Sequence, residues 1–241
     1  AMLQAKEAAE AASRAKSEFL ARMSHDLRTP LASLHGYLES LQLKEAELSP
    51  VQRSEYLAIA LRQTERLTRL VSELFELAKL EAQETRPSPE PFAAAELTQD
   101  VVQKFHLGAT RRGISLKLSP PPALPLVHAD IALTERVLDN LIENAIEHTP
   151  AGGGVVLSLG RKGQCVQVDI SDSGGGVADR DLPHIFTPFY RAEEEKESNS
   201  HAGLGLAIAQ RIVTLQGGEI QAVNKPDGGS VFSFTLPLEQ L

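Results

Sequence analysis

His25, Asp26 and Thr29 are the residues of this chain whose types and spacing most directly suggest chemistry. They fall in Phe19-Leu20-Ala21-Arg22-Met23-Ser24-His25-Asp26-Leu27-Arg28-Thr29-Pro30-Leu31, which has no glycine and reads as helix. Leu20, Met23, Leu27, Leu31, Leu34, Leu38 and Leu41 form an apolar stripe of the kind that packs against other helices. His25 lies two residues from both Met23 and Leu27, so it points away from that stripe, with Arg22, Arg28 and Thr29 on its own face. A neutral imidazole is a nucleophile when one ring nitrogen attacks and a base holds the other. Asp26 can be that base, and Thr29, one turn on, can orient a water or a phosphoryl oxygen. Pro30 lacks an N–H and crowds the carbonyl of Asp26, so a bend is expected there. Taken alone, the trio also reads as an exposed helix histidine beside an ordinary surface carboxylate.

A second set of candidates lies far along the chain. Asn140, Glu143, Asn144 and Glu147 share one face of a strongly patterned helix, with Val137, Leu138, Leu141, Ala145 and Ile146 mostly on the core side. Amide and carboxylate oxygens so grouped are hard ligands suited to Mg²⁺ bridging phosphates, or simply a polar helix face. Asp172-Ser173-Gly174-Gly175-Gly176 follows an alternating strand. Glycines there let backbone approach a flat ring closely, and the carboxylate can accept from an amino group. Gly203-Leu204-Gly205 opens a helix whose free N–H groups can hold phosphates.

Ser-His-Asp-Leu-Arg-Thr-Pro-Leu over 24–31 resembles the phosphoacceptor box of the two-component sensor histidine kinases. The likeness extends over nearly the whole chain. Leu138–His148 resembles the family's N box, Asp172–Gly176 its G1 box, Pro183–Arg191 its F box, His201–Leu206 its G2 box and Gly229–Phe232 its last glycine box. The resemblance implies ATP and Mg²⁺ as cofactors, with His25 phosphorylated and the phosphoryl group then passed to an aspartate of a response regulator receiver domain. It assigns Asn144 to Mg²⁺, matches Asn140 and Glu143 to the neighbouring N-box positions, and gives Asp172 to adenine with Gly174 and Gly176 as motif glycines. Phe189 and Arg191 stand in the F box, Arg191 as an available phosphate cation, and Gly203, Leu204 and Gly205 in the G2 box. Three positions depart from the usual pattern. Glu147 stands where a lysine or arginine is frequent, His201 where a glycine is common, and Asp26 is the shorter of the acids the family allows.

The elements that must position these groups are legible as periodicities. The segment from Leu3 to Leu43 reads as one long helix, 44–50 as a polar turn ending in the helix-start signal Ser49-Pro50, and a second helix runs to about Ala82. Two helices cannot hide so wide an apolar face, so two chains are expected to form a four-helix bundle. Glu84-Thr85-Arg86-Pro87-Ser88-Pro89-Glu90-Pro91 carries three prolines and reads as an extended linker. Beyond it, helices over 97–105, 131–148 and 203–215 and strands over 114–118, 155–159, 166–171, 219–223 and 230–236 suggest helices on one face of a mixed sheet. The expected organisation is α+β: a phosphoacceptor hairpin over 1–84, a linker over 85–91 and an α/β sandwich ATP-binding domain over 92–241. The polar run 193–200 reads as a lid over ATP or a solvated acidic loop.

Size and charge bound the function. The chain has 241 residues, 42% of them hydrophobic, enough for two modest packed domains. A net charge of −8 argues against nucleic acid as a partner. The single cysteine, Cys165, excludes an internal disulfide and suits a reducing compartment. No apolar run is long enough to span a bilayer. With Ala1 ahead of Met2 as a cloning scar, the chain is expected to be the cytoplasmic part of a membrane-bound sensor. A nucleotide-binding dimeric scaffold, acting mainly as a response-regulator phosphatase through Thr29, is the alternative function. ATPases of the gyrase and heat-shock chaperone group share the implied ATP fold but lack the hairpin with its histidine box.

Overall fold

The structure, a computed structural model, describes residues 2–43, 48–191 and 203–239, with side chains from Leu20 onward. The turn expected over 44–50 lies partly outside these residues, and the acidic run 193–200 and His201 lie wholly outside them. The described residues divide into two compact units, one holding those up to Phe75 together with Gly203 and the other holding the rest from Glu76 onward.

The first unit is helical. α1 (Met2–Leu43) runs unbroken through Pro30, which is buried. α2 (Pro50–Glu81) begins where Ser49-Pro50 signalled it. The Ser49 Oγ accepts from the Gln52 N–H at 3.2 Å, and Gln52 Oε1 accepts from the Ser49 N–H at 3.0 Å. This reciprocal capping satisfies donors that a helix start leaves orphaned, and Pro50 occupies the one position where a missing N–H costs nothing. Tyr37 meets Tyr56 edge-on, with ring centroids 5.1 Å apart. Leu20, Leu31, Leu38, Leu57 and Leu61 stay exposed in the single chain, as the width of the apolar stripe requires. Past α2, Gln83 turns left-handed at φ 56 and the Glu84 N–H reaches the Lys79 carbonyl at 3.0 Å, closing the helix.

The second unit carries β1 (Glu90–Phe92), α3 (Ala94–Arg111), β2 (Ser115–Leu118), β3 (Val127–Ala129), α4 (Ile131–His148), β4 (Gly154–Lys162), β5 (Cys165–Asp172), α5 (Gly205–Leu215), β6 (Ile220–Asn224) and β7 (Ser230–Pro237). The main sheet has order β2-β4-β5-β7-β6, parallel between β2 and β4 and antiparallel elsewhere, so the expected mixed sheet is present. Val166, Val168 and Ile170 of β5 are buried on the side where β5 packs on α4, and Leu138, Leu141 and Ile142 of α4, Ile208 and Ile212 of α5, and Phe232 and Phe234 of β7 complete the core. Two features exceed the expectation. α3 starts earlier and ends later than 97–105, because its first turn is alanine and has no apolar period to read. The tail of the 84–91 stretch is pinned: Glu90–Phe92 pairs with β3, and the Ser88 N–H donates to Asp130 Oδ2 at 2.8 Å. Asp130 also caps α4, its Oδ1 accepting from the Leu133 N–H at 3.0 Å. Among the described residues no helix is long and apolar enough to cross a membrane.

Ser49→Ala removes the side-chain acceptor at the start of α2. It is expected to cost about 1 kcal/mol, read as a lower denaturant midpoint for the helical transition.

Candidate functional site

The histidine cluster belongs to the first unit. The side chain of His25 is 78% exposed, and its Nδ1 lies 3.0 Å from Asp26 Oδ1. A carboxylate oxygen accepts, so the contact is made by the tautomer with its proton on Nδ1, in which Nε2 carries the lone pair. The Thr29 hydroxyl donates back to the His25 carbonyl at 3.2 Å. Its lone pairs, not its proton, are therefore what it offers outward. The structure brings the side chains of His25 and Asp26 together and turns the Thr29 hydroxyl back onto the helix one turn later.

Apart from Gly203, which groups with the first unit, the remaining candidates belong to the second unit. Asp172 ends β5 with only 3% of its surface exposed. Its Oδ1 accepts from the Gly174 N–H at 2.7 Å; its Oδ2 accepts from the Ser230 N–H at 3.2 Å and from the Ser230 hydroxyl. Burying a carboxylate is tolerable only with such donors. Gly174 lies so close to the end of α4 that a Cβ would sit 2.3 Å from the His148 carbonyl oxygen. Gly229, at φ +81, would bring a Cβ within 2.2 Å of the Asp172 carbonyl. Gly176, at φ +77, faces Asn224. Asn224 in turn accepts from the Val177 N–H at 2.8 Å and donates to the Val177 carbonyl at 2.6 Å. The loop after β5 is thus fixed as bare backbone against α4 and β7.

On α4, Asn140 is buried, Asn144 half-buried and Glu143 exposed. Asn140 is 6% exposed, and its Nδ2 has no hydrogen-bond partner among the described residues. Such an orphan is rare and costly unless a ligand completes it. Beside it, the Cβ position of Gly205 is 3.5 Å from Asn140 Oδ1, in ordinary contact. Gly205 starts α5, whose N-cap residue Leu204 provides no side-chain cap, leaving the first N–H groups to be satisfied otherwise. Gly203 before it is left-handed at φ +72. A buried amide donor beside an uncapped helix start fits a polyphosphate, and a glycine-walled turn with a buried carboxylate fits a planar base. Phe189 is buried at φ 60, an uncommon conformation for an aromatic residue, and Arg191 follows it half-buried. Tyr190 donates to the buried Asp181 at 2.7 Å, tying the ends of this turn segment.

Ser230 is the residue that the sequence reading missed as part of the site. It stands in a motif read as mostly structural, yet it supplies both of the donors on Asp172 Oδ2. Its only sequence signal is a hydroxyl residue directly after Gly228-Gly229 at a strand start.

Comparison with known proteins agrees with both halves. Residues 15–83 match the His Kinase A (phospho-acceptor) domain, and residues 129–240 match the histidine kinase-, DNA gyrase B-, and HSP90-like ATPase. The chain is 32% identical over 228 residues to the adaptive-response sensory kinase SasA of Synechocystis sp., covering 92% of this chain and 59% of that protein. Its fold is similar to that of the histidine kinase ThkA in complex with the response regulator protein TrrA, with a TM-score of 0.75, 26% identity, and coverage of 92% of this chain and 61% of that one. It is also similar to full-length ShkA in complex with AMPPNP, with a TM-score of 0.69, 28% identity, and coverage of 93% and 46%. The chain belongs to the sensor histidine kinases, carrying their phosphoacceptor domain followed by their ATPase-type domain.

Ser230→Ala takes away the hydroxyl donor of a buried carboxylate. A hydrogen bond to a charged group is worth about 1.5–3 kcal/mol, so the second unit is expected to lose roughly that much unfolding free energy in a urea titration.

Proposed function

We propose that this chain is the core of a protein-histidine kinase that moves the γ-phosphoryl group of ATP to His25 and then to an aspartate of a response regulator receiver domain. The observation that carries the reading is the exposed imidazole whose Nδ1 is held 3.0 Å from Asp26. In this reading His25 Nε2 attacks the γ-phosphorus. An N–P bond forms, the P–O bond to ADP breaks, and the ADP oxygen keeps the electron pair. Positive charge develops on the ring, and Asp26 takes up the Nδ1 proton or shares it. Phosphoryl transfer of this kind needs positioning and charge neutralisation more than covalent help.

Adenine is held at Asp172 against the bare backbone of Gly174 and Gly176. Phosphates take the Asn140 amide and the start of α5 at Gly203, Leu204 and Gly205, with Phe189 and Arg191 on the turn segment beyond. Asn144, with Glu143 and Asn140, would hold Mg²⁺, whose chemistry there is to neutralise phosphate charge. ShkA's complex with AMPPNP supports the nucleotide assignment, and ThkA's complex with TrrA supports a receiver domain as partner. SasA and ThkA, both named as kinases, support the kinase reading over a phosphatase-only scaffold. The phosphoacceptor hairpin over 1–84, the linker over 85–91 and the catalytic domain over 92–241 are the working parts. Two chains pair to cover the exposed leucines of α1 and α2. In this reading the core works on the cytoplasmic side of a membrane-bound parent sensor, where ATP is at hand.

The test separates the members of one helical turn. With labelled ATP, His25→Gln is expected to incorporate nothing, and label on that variant would overturn the assignment. Asp26→Asn keeps shape but loses the base, so autophosphorylation falls by about 10²–10⁴. Thr29→Ala keeps the helix and autophosphorylation, while loss of phosphate from a phosphorylated receiver domain slows strongly. Equal loss of both activities in Thr29→Ala would assign the hydroxyl to the common phosphoryl site instead.

A further inference from the structure

The loop proposed to carry adenine runs from Asp172, at the end of β5, to Val177, and it is gripped at both ends from one place, the β6–β7 hairpin. In the hairpin's register Asn224, the last residue of β6, stands opposite Ser230, the first of β7. Ser230 holds the entry of the loop through Asp172 Oδ2. Asn224 holds the exit: its Oδ1 accepts from the Val177 N–H at 2.8 Å, and its Nδ2 donates to the Val177 carbonyl at 2.6 Å. A side-chain amide that pairs with both polar groups of one residue imitates a neighbouring strand. It fixes the direction of the chain as well as its distance.

The hairpin itself does not need that amide. Its turn closes on its own backbone, with the Lys225 N–H donating to the Gly229 carbonyl at 3.0 Å and the Gly228 N–H to the Lys225 carbonyl at 3.2 Å. An asparagine beside a turn commonly bonds its own local backbone. Asn224 instead reaches a residue 47 positions back. Its Nδ2 also lies 3.4 Å from Asp179 Oδ1, so both amide protons have partners within 177–179 and neither is left for a ligand. The reach constrains Gly176 as well. A Cβ there would lie 3.0 Å from Asn224 Oδ1, and the residue sits at φ +77. Asn224 thus shapes the bare backbone on which a flat ring would rest.

We propose that Asn224 is a positioning residue of the nucleotide site: through Val177 it sets the backbone of Gly174–Gly176, and thereby the affinity for ATP, without contacting the nucleotide. The inference rests on the reading of this loop as the adenine site.

Initial autophosphorylation rates of the full chain against ATP concentration test it, with ATP binding by calorimetry beside them. Asn224→Ala is expected to raise the Kd and the KM for ATP by about tenfold, as suits the loss of two hydrogen bonds, while the rate at saturating ATP is retained. A residue that served stability alone would lower the amount of active protein, and with it the rate, at unchanged KM. Asn224→Asp keeps the shape and the acceptor for the Val177 N–H, but turns a carboxylate towards the Val177 carbonyl and Asp179. It is expected to lose at least as much affinity at neutral pH, and it decides the question should the alanine variant not fold. Wild-type ATP affinity in either variant would overturn the proposal, as would a fall in rate at unchanged KM. If the wild-type chain binds no ATP, the reading of the nucleotide site fails and this inference falls with it. If the wild type binds ATP and the variants bind it equally well, the inference alone falls.

Discussion

A carboxylate with 3% of its surface in water has to be met by donors on every side, and Asp172 imposes that demand on the whole second unit. Its oxygens draw in the backbone after β5 through Gly174 and the start of β7 through Ser230. The resulting approach is so close that Gly174 and Gly229 have no room for a side chain. The end of α4 is caught in the same knot through the His148 carbonyl. One buried charge thus sets where the strand, the glycine loop and the main helix meet, and that meeting point is where the proposed adenine lies.

The second constraint is separation. The proposed nucleophile is on an exposed helix face in one unit, while the side chains of the proposed nucleotide site are in the other. Exposure suits the proposed role of His25, which is to receive phosphate from one partner and give it to another.

Local pattern was readable, and long-range pairing was not. The apolar stripe of α1, the Ser49-Pro50 start of α2, the alternation of β5 and the grouping of Asn140, Glu143 and Asn144 on one face all follow from spacing within a few residues. The His25–Asp26 contact was legible for the same reason, since adjacent residues need no fold to meet. β3 was hidden because three residues after a proline cluster carry no period. The extent of α3 was hidden because alanine marks a helix without marking a face. Ser230 was out of reach because its partner, Asp172, lies 58 residues away. Thr29's bond to the His25 carbonyl spans one turn and so could have been anticipated, because threonine inside a helix commonly bonds back in this way.

The central claim is that Asp26 holds Nδ1 of His25 and leaves Nε2 to attack. Phosphorus–nitrogen correlation by NMR on the chain phosphorylated from ATP, with nitrogen-labelled histidine, reads which ring nitrogen carries phosphorus. The account predicts a bond to Nε2 of His25, with Nδ1 still directed at Asp26. A phosphoryl group on Nδ1, or on another histidine, would contradict it.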